Sequence, residues 1–163
     1  MDITQKVKYL IENNRHMVIA TANNAGKPWV SPVFYVYDKN FNLYWVSSKE
    51  AKHSENIKMN SSIAIVIIGE SPSKKGIDGV YIEAEGVELA DSIDLQSAVG
   101  LFLLYKQPDK FMIKSASDVT GNASWRIYKA IPQKIYKRAE IIDKSSNQTI
   151  TVREEVKLKD LTN

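Results

Sequence analysis

Cysteine is missing altogether from this chain. Its absence excludes disulfides, thiolate metal ligands and cysteine nucleophiles together, and fits a reducing cytosolic compartment. Histidine is nearly as scarce: His16 and His53 are the two in 163 residues, too few for a histidine metal cluster. Neither sign of charge dominates. The 22 Lys+Arg and 19 Asp+Glu leave a formal net charge of +3, with the basic residues scattered instead of gathered into a nucleic-acid-binding stripe. Long apolar runs are missing too. The longest, Ile63–Ile68, falls far short of a bilayer span, and the polar, amphipathic start lacks the apolar centre of a signal peptide. No Gly-rich phosphate loop and no Ser-His-Asp order appear; Gly76–Gly79 is too short to count. What remains is a cytoplasmic, soluble protein with neither nucleic acid nor membrane as partner.

With 44% hydrophobic and 25% charged residues, the chain can build one domain with a proper core. Ile3, Val7, Leu10 and Ile11 share one helical face, and the helix should end near Asn13 and Asn14. Strand-like runs follow at Met17–Ala22, Val30–Tyr37 and Leu43–Ser47. They are joined by turn signals at Asn23–Pro28 and Asp38–Asn42, which predicts an antiparallel meander. Pro32 inside the second run requires a bulge or an edge. Ile63–Ile68 shows no alternation, so both of its faces should be covered by protein. Val80–Ala90 alternates well, with Gly86 as the expected kink. A helix should start at Ser92, capped by Asp91 or Ser92, with Leu95, Ala98, Val99, Phe102 and Tyr105 at helical spacing. Residues 107–122 are ambiguous, and Trp125–Tyr136 returns to strand character with Pro132 as an edge or bend. The folded domain is set at 1–142, leaving 143–163 as a polar tail or, for Thr149–Val156, a late strand.

The chemistry concentrates in Ser47–His53 (SSKEAKH), where a strand gives way to a helix. Helix starts offer unpaired N–H groups and the positive end of the dipole, so hydroxyls and cations placed there suit a phosphate-bearing ligand. A merely capped, solvated surface helix is the competing reading. Glu83 and Glu85 share a strand face but read as solvated exterior, and the aromatics Phe34, Tyr35, Tyr37, Tyr44 and Trp45 read as core or interface.

The wording of Ala20–Tyr37 (ATANNAGKPWVSPVFYVY), Leu43–Ile57, the apolar strand to Ile68 and Gly79–Leu89 resembles the FMN-binding split-barrel family typified by pyridoxamine 5′-phosphate oxidase. The resemblance covers about residues 3–140. It implies a mainly β fold, a split antiparallel β-barrel with flanking helices, and FMN as cofactor at the interface of a homodimer. Carried across, Ser47 meets the FMN phosphate, while Lys52 and His53 stand for the basic pair that neutralises it. Ser31, Pro32 and Val33 edge the isoalloxazine and ribityl chain, and Ser48 and Lys49 add contacts. Tyr81 and Trp125 are the aromatics expected near the ring, with a partner subunit as one source. The chain departs from the oxidase in two places: Ser31 stands where that enzyme has arginine, and His53 where lysine is usual. The Arg- and Trp-rich substrate grip near the oxidase C-terminus has only a faint counterpart in Trp125–Pro132.

Three functions stay open at this level. The first is an FMN-dependent oxidoreductase acting on an unidentified small molecule, with no side chain singled out as catalytic. The second is a flavin-holding module for storage or sensing. The third is a dimeric barrel that has lost FMN or holds another cofactor such as haem.

Overall fold

An Asp2–Gln5 capping box starts helix α1 (Ile3–Asn13), which buries Val7, Leu10 and Ile11. The computed structural model describes residues 1–70, 76–105 and 113–162; the polar stretch 70–79, whose Gly and Pro residues read as a loop, and the ambiguous stretch 107–122 fall partly outside them. Strand β1 (His16–Ala22) turns back into β2 (Pro28–Phe34). In that turn Asn23 Oδ1 accepts the N–H groups of Ala25 and Lys27, both at 3.0 Å, and Gly26 takes φ +75°. The remaining elements are β3 (Val36–Tyr37), β4 (Leu43–Ser48), α2 (Lys52–Met59), β5 (Ser62–Glu70), β6 (Ile77–Glu88), α3 (Ser92–Leu104), a 3₁₀ turn (Ala116–Val119), β7 (Trp125–Ile142), β8 (Thr149–Val156) and α4 (Leu158–Leu161).

The eight strands form one antiparallel sheet in the order β2-β1-β5-β6-β7-β4-β3, with β8 added to β7. It curls into a split barrel around Leu10, Ile19, Tyr35, Trp45, Ile67, Ile82, Tyr128 and Ile135, all buried. Trp45 and Tyr128 stack at 5.5 Å between centroids in this interior. A second cluster packs Leu95, Val99 and Phe102 of α3 against Val36, Tyr44 and Ile127 on the sheet's outer side.

The three-strand meander does not form. The run Val30–Tyr37 divides at Tyr35: β2 pairs with β1, whereas β3 pairs with β4, at opposite ends of the sheet. Tyr35 is fully buried and donates its hydroxyl to Ile11 O at 2.7 Å, which anchors the crossing. Pro32 lies on the edge strand in unbroken register with Val18, so the edge, and not a bulge, accommodates it.

Two further expectations change. The outer side of β5 is open: Ile63, Ile65 and Ile67 are buried while Ala64 and Ile68 are exposed. An antiparallel sheet covered on one face needs no protein on the other within the chain. Gly86 keeps its register with Ala130, and the irregularity falls instead between Glu83 and Ala84, opposite Lys134 and Pro132. Pro132 therefore sits at a bulge, between the part of β7 paired with β4 and the part paired with β8, where its missing N–H leaves no gap in either ladder. Thr149–Val156 is β8, and Val156 and Leu161 join the interior cluster. Among the described residues, no helix is long and apolar enough to cross a membrane.

Candidate functional site

β4 ends in two serines whose groups build the entry to α2. Ser48 O accepts Ala51 N–H at 3.1 Å and the Ser54 hydroxyl at 2.8 Å, and Ser48 Oγ accepts Glu50 N–H at 3.2 Å. The turn is tied to the start of β7 by Lys49 N–H donating to Ser124 O at 3.0 Å. The helix N-cap is Ala51, with no side-chain cap, so the expected Ser/Glu capping arrangement is not made. The first helical bond runs from Glu55 N–H to Ala51 O. The N–H groups of Lys52, His53 and Ser54 precede it and have no carbonyl one turn earlier to bond. An uncapped start of this kind attracts an anion through its exposed donors and its dipole.

The helix is held down by what it buries. Ser54 and Asn56 are fully buried, and Asn56 Nδ2 donates to Thr21 Oγ1 of β1 at 3.0 Å. His53, 8% exposed, lies between two serines: Nδ1 is 3.0 Å from Ser31 Oγ and Nε2 is 2.8 Å from Ser47 Oγ. The indole Nε1 of Trp29 donates to the same Ser31 Oγ at 3.1 Å. Burial lowers the His53 pKa from its ordinary value, so the imidazole is neutral near pH 7.

These residues border a cavity of about 320 Å³ lined by Pro32, Val33 and Phe34 from β2, Val46, Ser47 and Ser48 from β4, Ala51, His53, Phe102 from α3 and Trp125 from β7. Its volume falls within the usual range for small-molecule sites. Trp125 is fixed from behind by Arg126. That guanidinium donates to Ala123 O and Trp125 O at 2.7 Å and to Gly121 O at 2.8 Å, while its Nε lies 3.3 Å from Glu88.

Of the residues expected at the site, Pro32, Val33, Ser47, Ser48, His53 and Trp125 line the cavity, and Ser31 adjoins it through His53. Lys49 and Lys52 are not among the lining residues; the Lys52 side chain is half exposed and lies 3.6 Å from Glu55. Tyr81 belongs to β6, paired with Val66 and Tyr136, and its ring sits under the Arg153 guanidinium at 4.1 Å, away from the cavity within one chain. Of the two roles expected for His53, donor or cation, burial favours the neutral donor. Sequence reasoning missed Phe34, Val46, Ala51 and Phe102 in the lining, and Trp29 behind Ser31. Trp29 was findable, because it stands two residues before Ser31 on one face of a strand. Phe102 was not, since it arrives from a helix whose docking only the tertiary fold sets.

Residues 3–107 match the family model described as pyridoxamine 5′-phosphate oxidase. No curated protein matches the chain. Among solved structures, the haem storage protein HutZ of Vibrio cholerae superposes with a TM-score of 0.66 at 17% identity, over 84% of this chain and 95% of its own. An FAD-binding protein of Mesorhizobium loti gives 0.62 at 19%, over 83% and 92%. A candidate pyridoxamine 5′-phosphate oxidase of Listeria innocua gives 0.59 at 16%, over 83% and 98%. At these identities the likeness is one of fold.

Proposed function

The chain belongs to the pyridoxamine 5′-phosphate oxidase family, and from that premise we propose that it is an FMN-binding flavoprotein, an oxidoreductase acting on a small molecule. The observation that carries this reading is the uncapped start of α2 opening beside two serine hydroxyls at the rim of an apolar cavity. A phosphate monoester needs several converging donors, and a flat heteroaromatic ring needs apolar walls. The donor set fits the group. Ser47, Ser48 and the first-turn N–H groups would hold the phosphate, and Val33, Phe34, Val46 and Trp125 would border the ring system.

Bound FMN would supply transfer of a hydride or of electrons at its ring. The chain's own residues contribute binding, orientation and exclusion of water. Arg126 holds the Trp125 backbone through three carbonyls and so fixes that wall. A homodimer is part of the proposal. Trp29 and Val30 on the edge strand are 49% and 62% exposed, and Trp125 is 39% exposed. A second copy would cover them and close the cavity's open side, leaving the flavin face to the substrate.

Haem is the second reading, because one similar structure is a haem storage protein. Against it, both ring nitrogens of His53 are in hydrogen bonds, and His16 lies edge-on to Phe34 at 6.0 Å, outside the cavity lining. The test is the absorption spectrum of protein purified without added ligand and then titrated with FMN and with haemin. Flavin bands, quenched by binding and bleached under anaerobic NADH or NADPH, are expected. A Soret band with no flavin uptake would overturn the proposal. Flavin taken up but never reduced would reassign the protein to storage or sensing.

A further inference from the structure

Four polar groups stand in a line from the exposed edge of the barrel to the cavity: Trp29 Nε1, Ser31 Oγ, the His53 ring and Ser47 Oγ, at successive separations of 3.1, 3.0 and 2.8 Å. The first member sets only the first step of this line, because a serine oxygen can accept twice; the His53 tautomer sets the rest. An indole N–H can only donate, so Ser31 Oγ accepts from Trp29. Ser31 has a single proton of its own. If His53 Nδ1 also donated to Ser31, that proton would be left without an acceptor on this line, while Nε2 took the proton of Ser47. If instead Ser31 donates to Nδ1, the three bonds run in one sense, Trp29 to Ser31, Ser31 to His53 Nδ1 and His53 Nε2–H to Ser47 Oγ, and the hydroxyl proton left over is that of Ser47. Ser47 then accepts from the imidazole, and its own proton finds no acceptor among the described residues. That proton is available to the cavity that Ser47 lines.

We propose that Trp29 is a positioning residue for the anion subsite: through Ser31 and a neutral His53 held as the Nε2–H tautomer, it orients Ser47 as a one-way donor to an anionic oxygen of the ligand. This rests on the phosphate reading above and adds what that reading lacks, a reason for Trp29 and for both substitutions relative to the oxidase. Ser31 and His53 stand where fixed cations would, and they replace charge by aligned neutral dipoles. Hydrogen bonds relayed in one sense polarise each other, which strengthens the terminal donor. A cation attracts any anion at a distance, whereas a terminal hydroxyl rewards only an acceptor placed against it. The Trp29 end cannot feed protons in, because indole does not ionise in this range; the line sets orientation and is not a proton wire.

The experiment compares the full-length wild type with Trp29→Phe and Ser31→Ala. Two-bond ¹H–¹⁵N correlation spectra of the imidazole read the His53 tautomer, and parallel titrations read affinity for FMN and for riboflavin, which lacks the phosphate. In the wild type, His53 should be Nε2–H. In Trp29→Phe the tautomers should mix, and FMN affinity should fall about five- to tenfold, the size of one neutral hydrogen bond, while riboflavin affinity changes less than twofold. Ser31→Ala should behave likewise. An Nδ1–H tautomer in the wild type, or a Trp29→Phe protein that loses FMN and riboflavin equally, would overturn the relay. The two readings separate cleanly. A wild type that binds neither flavin removes the phosphate ligand, yet the tautomer still decides the relay; a wild type that binds FMN with His53 in the wrong tautomer removes the relay alone.

Discussion

At the scale of single residues, the decisive environment is that of His53. Its ring is buried and its pKa is lowered from 6.5 by desolvation. The sign for stability follows: the unfolded chain takes up the proton first as pH falls, so acidification favours unfolding. The associated stability is complete above about pH 6.5 and is lost as pH drops from there toward the lower folded value. Thermal midpoints of the wild type measured from pH 8 to pH 5 should therefore decline below pH 6.5, and His53→Gln should flatten that part of the decline. Equal slopes for both proteins would place the acid sensitivity elsewhere. Ser47, Ser48 and His53 were legible as a cluster because they lie within seven positions of one another at a strand–helix joint. Their hydrogen-bond partners were not. The i,i+3 spacing of Lys52 and Glu55 already offered the ion pair that the structure shows, a competitor to the phosphate role expected of Lys52.

Elements were read well where a local signal set them. The Asp91 cap, the Asn23 and Asp38 turns and the apolar face of α1 each depend on residues within one turn. They failed where the cause was distant. The split of Val30–Tyr37 at Tyr35 depends on Ile11, and the open face of β5 depends on what the rest of the sheet does not cover. Gly86 shows the same contrast. Its sequence position suggested a kink, whereas the structure gives it a packing role. A Cβ there would lie 3.0 Å from Ile63 Cδ1, 3.3 Å from Ile63 Cγ2 and 3.5 Å from Ile57 Cδ1. Crowding of a filled core costs about 1–3 kcal/mol, against about 0.5–1 kcal/mol gained by replacing a strand glycine with alanine. Gly86→Ala should thus lose about 1 kcal/mol net, seen as a lower urea midpoint with an unchanged m-value. A midpoint equal to or above the wild type's would mean that Ile63 moves aside freely.

For the whole molecule, the split barrel leaves one wall of the cavity at an edge. β2 ends the sheet, and its prolines Pro28 and Pro32 cannot donate to a further strand. A second copy would have to dock there through side chains such as Trp29 and Val30 and not by extending the ladder. Light scattering of the purified protein should give twice the 18.4 kDa chain mass. A monomer carrying one FMN per chain would contradict a shared cleft. Trp29→Asp should shift the mass toward the monomer. The barrel class was legible because strand patterning and turns repeat along the whole chain. The homodimer rests on the family resemblance and not on the strand patterning, because exposed tryptophans look alike to sequence reasoning whether they meet solvent or a subunit.

The pairing of Ser48 with Trp125 joins two walls of the cavity across the middle of the polypeptide. Contacts so far apart along a chain form late, after nearby hairpins have closed. On the proposed flavin reading, the ligand would therefore load onto finished protein and not onto an early folding species. Saturating ligand would accordingly leave the refolding rate alone and slow the escape from the native state.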